Sequence, residues 1–350
     1  MNQGANRIIT YACSFVPVEI IMASGLGARR IIPDASMQTQ TQGHMHVNTC
    51  CYVKSLLTQV LDGQHAQPCH GIIIANCCDA MHRLHDLLEK YWGKKPMLFF
   101  DIPKKKDPDS IIFFTSEIKR LAYDLATSFH VEPASNERLQ AAIRTYNEIR
   151  ALMGQAFGLK GISGSTLFQL CLQGAQSEHA EFAAAIRRCM ADAADKRSGH
   201  DARRILLTGN VLLHPDLITL VEDAGVQVVG LDICIGARNF ELLAEEDTSD
   251  PFAALARRYL TRPACARMLG FDEQLAYLTR MYAQTNADGI ICSSVKYCDS
   301  LIYTVPLLEE HCKRAGIPFL YLENEYAWAD SGQIRTRIET FLEMLEDKHV

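Results

Sequence analysis

The sequence predicts an α/β protein of two parallel-sheet domains with a helical segment between them. Two observations carry that expectation: short apolar runs bounded by turn residues recur in both halves of the chain, and segments of helical periodicity separate them. In the first half the runs fall at residues 8–12, 71–75, 97–100 and 111–114, with helical spacing over 80–91 and 117–128. In the second half they fall at 205–208, 226–230, 289–292 and 318–322, each followed by a polar or glycine-containing turn. Strands alternating with helices imply parallel sheets joined by crossover helices, the Rossmann-like (flavodoxin-like) arrangement. Between the halves, Leu139, Ile143, Tyr146, Ile149 and Met153 keep helical spacing, as do Leu167, Leu170 and Cys171, and then Phe182, Ala185, Ile186 and Cys189. Ser135 stands where an N-cap opens the first of these helices, and Gly154 and Gly158 stand at its expected end. The expected organisation is an N-terminal α/β domain over 1–134, a helical segment over 135–200 and a C-terminal α/β domain over 201–350, the two halves readable as architectural echoes.

The 350 residues are 48% hydrophobic and 22% charged, the composition of an ordinary soluble globular protein, which excludes disorder and a small disulfide scaffold. Lys and Arg number 35 against 41 Asp and Glu, for a formal net charge of −6. The basic runs Lys104-Lys105-Lys106 and Arg187-Arg188 are too short to build a field that attracts phosphate backbones, so nucleic acid is not an expected partner. The opening residues lack a basic segment followed by a long apolar run, and polar residues interrupt every candidate span of roughly 18 residues. No membrane association is expected, and the expected location is cytoplasmic.

Thirteen cysteines are plentiful for a compartment in which structural disulfides are rare. Many stand just past predicted strands, where open α/β sheets place their functional loops: Cys13 after the first, Cys77-Cys78 after 71–75, Cys234 after 226–230, and Cys292 and Cys298 at and beyond the end of 289–292. Cys50-Cys51 opens a helix. No local Cys-x2-Cys or His-x3-His pair of the kind that builds a zinc site is present. Thiolates drawn singly or in adjacent pairs from distant loops suit an iron–sulfur cluster held between two domains. Cys171, Cys189, Cys265 and Cys312 fit small core residues. His44, His46, Cys50 and Cys51 form a local knot capable of zinc binding, although a solvated loop accounts for it better without a second group of matching spacing. Thr208-Gly209-Asn210 lacks the glycine-rich or G-K-[ST] context of a phosphate loop, and no nucleotide site is read from it.

An ordered series of segments resembles the 2-hydroxyacyl-CoA dehydratase and benzoyl-CoA reductase subunit family, of the 2-hydroxyglutaryl-CoA dehydratase D-component type. It runs from Tyr11-Ala12-Cys13-Ser14-Phe15-Val16-Pro17-Val18-Glu19 and Ala23-Ser24-Gly25-Leu26 through the Cys51 helix to Cys78-Asp79 with Arg83 behind it. It continues through Leu206-Leu207-Thr208-Gly209, Val221-Glu222-Asp223-Ala224-Gly225, Asp232-Ile233-Cys234-Ile235-Gly236-Ala237-Arg238 and Lys296-Tyr297-Cys298-Asp299. The resemblance implies two Rossmann-like domains with a [4Fe–4S] cluster between them, held by Cys51, Cys78 and Cys298 and leaving one iron open. It implies removal of water from a 2-hydroxyacyl-CoA through a ketyl radical anion, after one-electron reduction by a separate ATP-hydrolysing iron–sulfur activator. A paralogous subunit, or a second copy of the chain, is the implied partner. Because both first-domain positions are doubled and Cys292 precedes Cys298, the chain also resembles a branch of that superfamily with a double-cubane [8Fe–9S] cluster and an ATP-dependent reductase activity. That alternative draws on Cys50, Cys77 and Cys292 in addition. A third alternative is a scaffold or electron-transfer subunit without its own substrate. Ser14 and Glu19 match the family opening and are candidates to reach substrate, Glu19 as a proton carrier, against plainer roles as an N-cap and a first-turn dipole partner.

Overall fold

The computed structural model describes residues 7–34, 43–61, 69–194, 202–326 and 331–346. Its first part runs β1 (Ile8–Tyr11), α1 (Val18–Ala23), β2 (Gly27–Arg30), α2 (Cys51–Leu61), β3 (Gly71–Asn76), α3 (Asp79–Tyr91), β4 (Met97–Asp101) and α4 (Pro108–Phe129). Three helices follow: α5 (Asn136–Gly158), α6 (Gly164–Gln176) and α7 (His179–Ala194). The second part runs β5 (Arg204–Gly209), α8 (Asp216–Glu222), β6 (Gln227–Asp232), α9 (Pro251–Thr261), α10 (Phe271–Thr285), β7 (Gly289–Val295), α11 (Asp299–Ile302), α12 (Val305–Arg314), β8 (Phe319–Asn324) and α13 (Ser331–Glu346). The strands form two four-stranded sheets, ordered β2-β1-β3-β4 and β6-β5-β7-β8, and every pairing is parallel. This is the α/β fold with two Rossmann-like sheets that the sequence predicts.

Burial explains why these segments are strands. Ile72, Ile73, Ile74 and Ala75 of β3 and Ile290, Ile291 and Cys292 of β7 are all buried, because helices cover both faces of each sheet. The edge strand β2, with the sequence Gly-Ala-Arg-Arg, carries no such run and is not legible in advance. Residues 111–114, expected as a strand, lie instead in α4. Asp107 caps that helix by accepting from the Ser110 amide at 2.9 Å, and Pro108 occupies its first turn. Phe114 is fully buried there while Ile112 and Phe113 are exposed, so the run serves only one helical face. Ser135 caps α5 as expected, but α5 continues through Gly154 and ends after Gly158.

The two cores exchange cover. Residues of α9, among them Leu255, Ala256, Tyr259 and Leu260, join the core of the first sheet, where α9 packs on α4. The middle helices reach the other way: Phe168, Phe182 and Ile186 pack with Val228 and Leu231 of the second sheet. The carboxyl ends of β1, β3, β5 and β7 thus face a shared region, spanned by the hydrogen bond from Ser14 to the Cys234 carbonyl.

Candidate functional site

Three cysteines occupy the same local position. Cys78 is the N-cap of α3, Cys298 is the N-cap of α11, and Cys50 directly precedes α2. The Cys50 carbonyl accepts from the Lys54 amide at 3.1 Å, that of Cys78 from His82 at 3.1 Å, and that of Cys298 from Ile302 at 3.0 Å. The amides of Val53, Met81 and Leu301, three residues on, favour the anionic form of the Cys50, Cys78 and Cys298 sulfurs, although neither Cys78 nor Cys298 makes a side-chain capping hydrogen bond. The positive end of a helix favours the anionic form of a sulfur placed there. Cys50, Cys77, Cys78 and Cys298 line one cavity of about 480 Å³, with Arg267 and Lys104 among its cations and Leu269, Phe271, Tyr303 and Leu307 among its apolar residues.

Neighbouring thiols set one another's acidity. Cys298 accepts from Cys50, against the cost of burial, and receives a further bond from Asn210, which holds it down at about 6. The same bond pushes the Cys50 thiol up. Cys77 donates to Cys13 and Cys78 and is raised by doing so, while Cys13 falls to about 6 with help from the Phe15 amide, Arg267 and Arg30, and Cys78 is also lowered. Arg267 is fixed by the carbonyls of Cys77 (2.7 Å) and Ile102 (2.9 Å). Asn210 is fixed by the Val295 amide at 3.2 Å. The sequence marks neither Arg267 nor Asn210, since nothing local identifies an arginine after α9 or an asparagine past β5 as a neighbour of these thiols. It also gives Cys13 no role beyond its place after a strand.

The structure separates the members of the expected set. Cys51 does not line the cavity: it is fully buried at the start of α2, on the side of Lys54, Lys296 and Glu325. Consecutive helical residues point about 100° apart, so only one of the pair can face the cavity, and that one is Cys50. Cys292 lies within β7, fully buried against Leu206, Ile290 and Cys312, and burial pushes its thiol up to about 12. Ser14 does not cap α1, which starts after Pro17; its Oγ donates to the Cys234 carbonyl at 2.8 Å and accepts from Arg30 at 2.5 Å. Glu19 is fully buried, with its oxygens taken by Arg150 and, at 2.8 Å, by the Tyr259 hydroxyl. Burial pushes its carboxyl up, but Arg150 and Arg258 outweigh this and hold it below the usual range. Cys171 and Cys312 are buried, whereas Cys189 and Cys265 are half-buried. His44 and His46 lie exposed, and among the described residues no three His, Cys, Asp or Glu side chains surround a single ion position. No described helix is long and apolar enough to cross a membrane.

Comparison with known proteins decides the family. The model of the 2-hydroxyglutaryl-CoA dehydratase D-component matches residues 13–345. The chain belongs to this family. Among its relatives, the (R)-phenyllactyl-CoA dehydratase beta subunit of Clostridium sporogenes is 22% identical, over 99% of this chain and 93% of its own. A benzoyl-CoA reductase subunit of Thauera aromatica is 23% identical, over 98% of this chain and 92% of its own. The lactoyl-CoA dehydratase beta subunit of Anaerotignum propionicum is 22% identical, over 83% of this chain and 80% of its own.

Proposed function

We propose that this family member is the iron–sulfur subunit of a dehydratase for 2-hydroxyacyl-CoA thioesters, with Cys50, Cys78 and Cys298 as the ligands of a [4Fe–4S] cluster. The carrying observation is the repeated placement of these three cysteines, each at the start of a helix, around one cavity. The fit is chemical as well. The donors are soft thiols, and a cubane takes each at a separate iron, so they need not converge on one point. When bound, such a cluster supplies one-electron transfer and an open iron that acts as a Lewis acid. The relatives, dehydratase and reductase subunits named for acyl-CoA compounds, support the substrate class.

The protein's own residues then have definite tasks. The amides of Val53, Met81 and Leu301 and the Asn210 side chain offset the charge of the sulfurs. Arg267 brings a guanidinium to the first-sheet side of the thiols. Leu269, Phe271, Tyr303 and Leu307 give the cavity an apolar wall against which an acyl chain can exclude water. A related subunit or second copy, and an ATP-hydrolysing activator that delivers the electron, complete the proposal. With Cys51 and Cys292 outside the cavity, four of the six candidate cysteines line it, which favours a single cubane over a double one.

Anaerobic purification followed by iron, acid-labile sulfide and zinc analysis tests this. About four iron and four sulfide per chain are expected, with turnover of a 2-hydroxyacyl-CoA once partner and activator are added. About eight iron would favour the double cubane, and zinc or no metal would overturn the proposal.

A further inference from the structure

A second cavity, of about 100 Å³, shares no lining residue with the cysteine-lined one. Its walls include Arg30, Arg150 and Arg258, all buried, with exposures of 4%, 4% and 3%. The carboxylate beside them is Glu19, and Arg150 together with Tyr259 already occupies it. Arg30 meets a hydroxyl and a thiol in place of a carboxylate, Ser14 at 2.5 Å and Cys234 at 3.1 Å, and its Nε has no hydrogen-bond partner. Arg258 donates to the carbonyls of Leu242 and Asn239 and lies over the Tyr259 ring. Among the described residues neither Arg30 nor Arg258 makes a salt bridge, and Arg258 shares the single Glu19 carboxylate with Arg150 only at a distance, an excess of buried positive charge that desolvation penalises heavily unless an anion joins it.

The remaining wall supplies donors for such an anion. Tyr11 and Tyr146 line the cavity, and their hydroxyls make no hydrogen bond among the described residues. Ser14 and His179 also line it. Planar guanidinium forks and phenolic hydroxyls match the oxygens of a carboxylate or phosphate. The volume is well above the roughly 10–15 Å³ that admits one water, yet far too small for a nucleotide. We propose that this cavity binds a small oxyanion, through Arg30, Arg258, Tyr11 and Tyr146.

The test is calorimetric titration of the full, anaerobically prepared protein with inorganic phosphate and, separately, with acetate. Saturable one-site binding of at least one is expected, with a melting temperature that climbs with its concentration. A preference for phosphate identifies a phosphoryl group as the occupant, and a preference for acetate a carboxylate; both uphold the proposal. Arg30→Gln and Arg258→Gln are expected to weaken binding tenfold or more, and Tyr146→Phe severalfold. Tyr146→Phe keeps the packed ring, so it decides the matter if the arginine variants fail to fold. Saturation by neither anion, or binding that Tyr146→Phe and the arginine variants leave unchanged, would overturn the proposal.

Discussion

The two sheets have the same strand order, and the likeness reaches single residues. Each third strand opens on a glycine, Gly71 or Gly289, whose added Cβ would collide with a phenylalanine ring of the covering helix, Phe129 or Phe341. The next amide in each, Ile72 or Ile290, donates to a proline carbonyl ahead of the fourth strand, Pro96 at 3.0 Å or Pro318 at 2.9 Å. Each third strand then leads to a Cys-Asp step that begins a helix, Cys78-Asp79 or Cys298-Asp299. Two of the three proposed ligands thus come from one duplicated design, and Cys50 comes from the segment between β2 and β3. The difference lies past the first strands. Ile9 pairs with Gly71 and Ile205 with Gly289, so Cys13 and Gly209 correspond. Where the first half places a thiol beside Arg267, the second brings the Gly209 backbone (φ 146°) so close to the Ser293 carbonyl that no side chain fits. The added thiols, Cys13 and Cys77, belong to the first half alone.

The largest expected effect breaks the duplicated step. Cys78→Ser and Cys298→Ser should each lower bound iron from about four per chain to near zero, while Cys51→Ser and Cys292→Ala should retain it; iron and sulfide analysis after anaerobic purification reads both outcomes. Next comes the buried pair that joins α1 to α5 beside the first sheet. Glu19→Gln leaves Arg150 without its counter-charge and should cost about 3–5 kcal/mol in urea unfolding. The pH dependence has a definite sign. The Glu19 carboxyl is lower in the folded chain than in the unfolded one, so its stabilisation is present above the ordinary carboxylate range and disappears as pH falls through the lowered folded value. The Gln variant should show a flatter acid limb. Gly209→Ala should cost about 1–3 kcal/mol, measurable as a shift in the urea midpoint, and Cys13→Ala, at a position that already carries a side chain, should cost less. The smallest effect belongs to the cap of α4: Asp107→Ala should lose about 1 kcal/mol by the same measurement.

Much of this duplication is legible in the sequence, because strands buried on both faces leave continuous apolar runs and Cys-Asp recurs after two of them. The run at 111–114 misleads because a helix with a narrow buried face can hold four apolar residues in a row, and only the Asp107-Pro108 start distinguishes it. β2 is illegible because an edge strand rich in arginine has no apolar signature. The choice between Cys50 and Cys51 turns on where α2 begins, and a shift of one residue exchanges which sulfur faces the cavity. The contact of Arg30 with Cys234 joins residues 204 positions apart, and no local pattern carries it.

The exchange of cover between the two cores sets the order in which this chain can fold during synthesis. The face of α4 and β1 that receives Leu255, Tyr259 and Leu260 must wait until α9 has left the ribosome, more than a hundred residues after α4 is made. A nascent chain cut short at the end of α4 would present that apolar face to water, exposed to aggregation, so the first sheet gains its full core only when most of the second half has been translated.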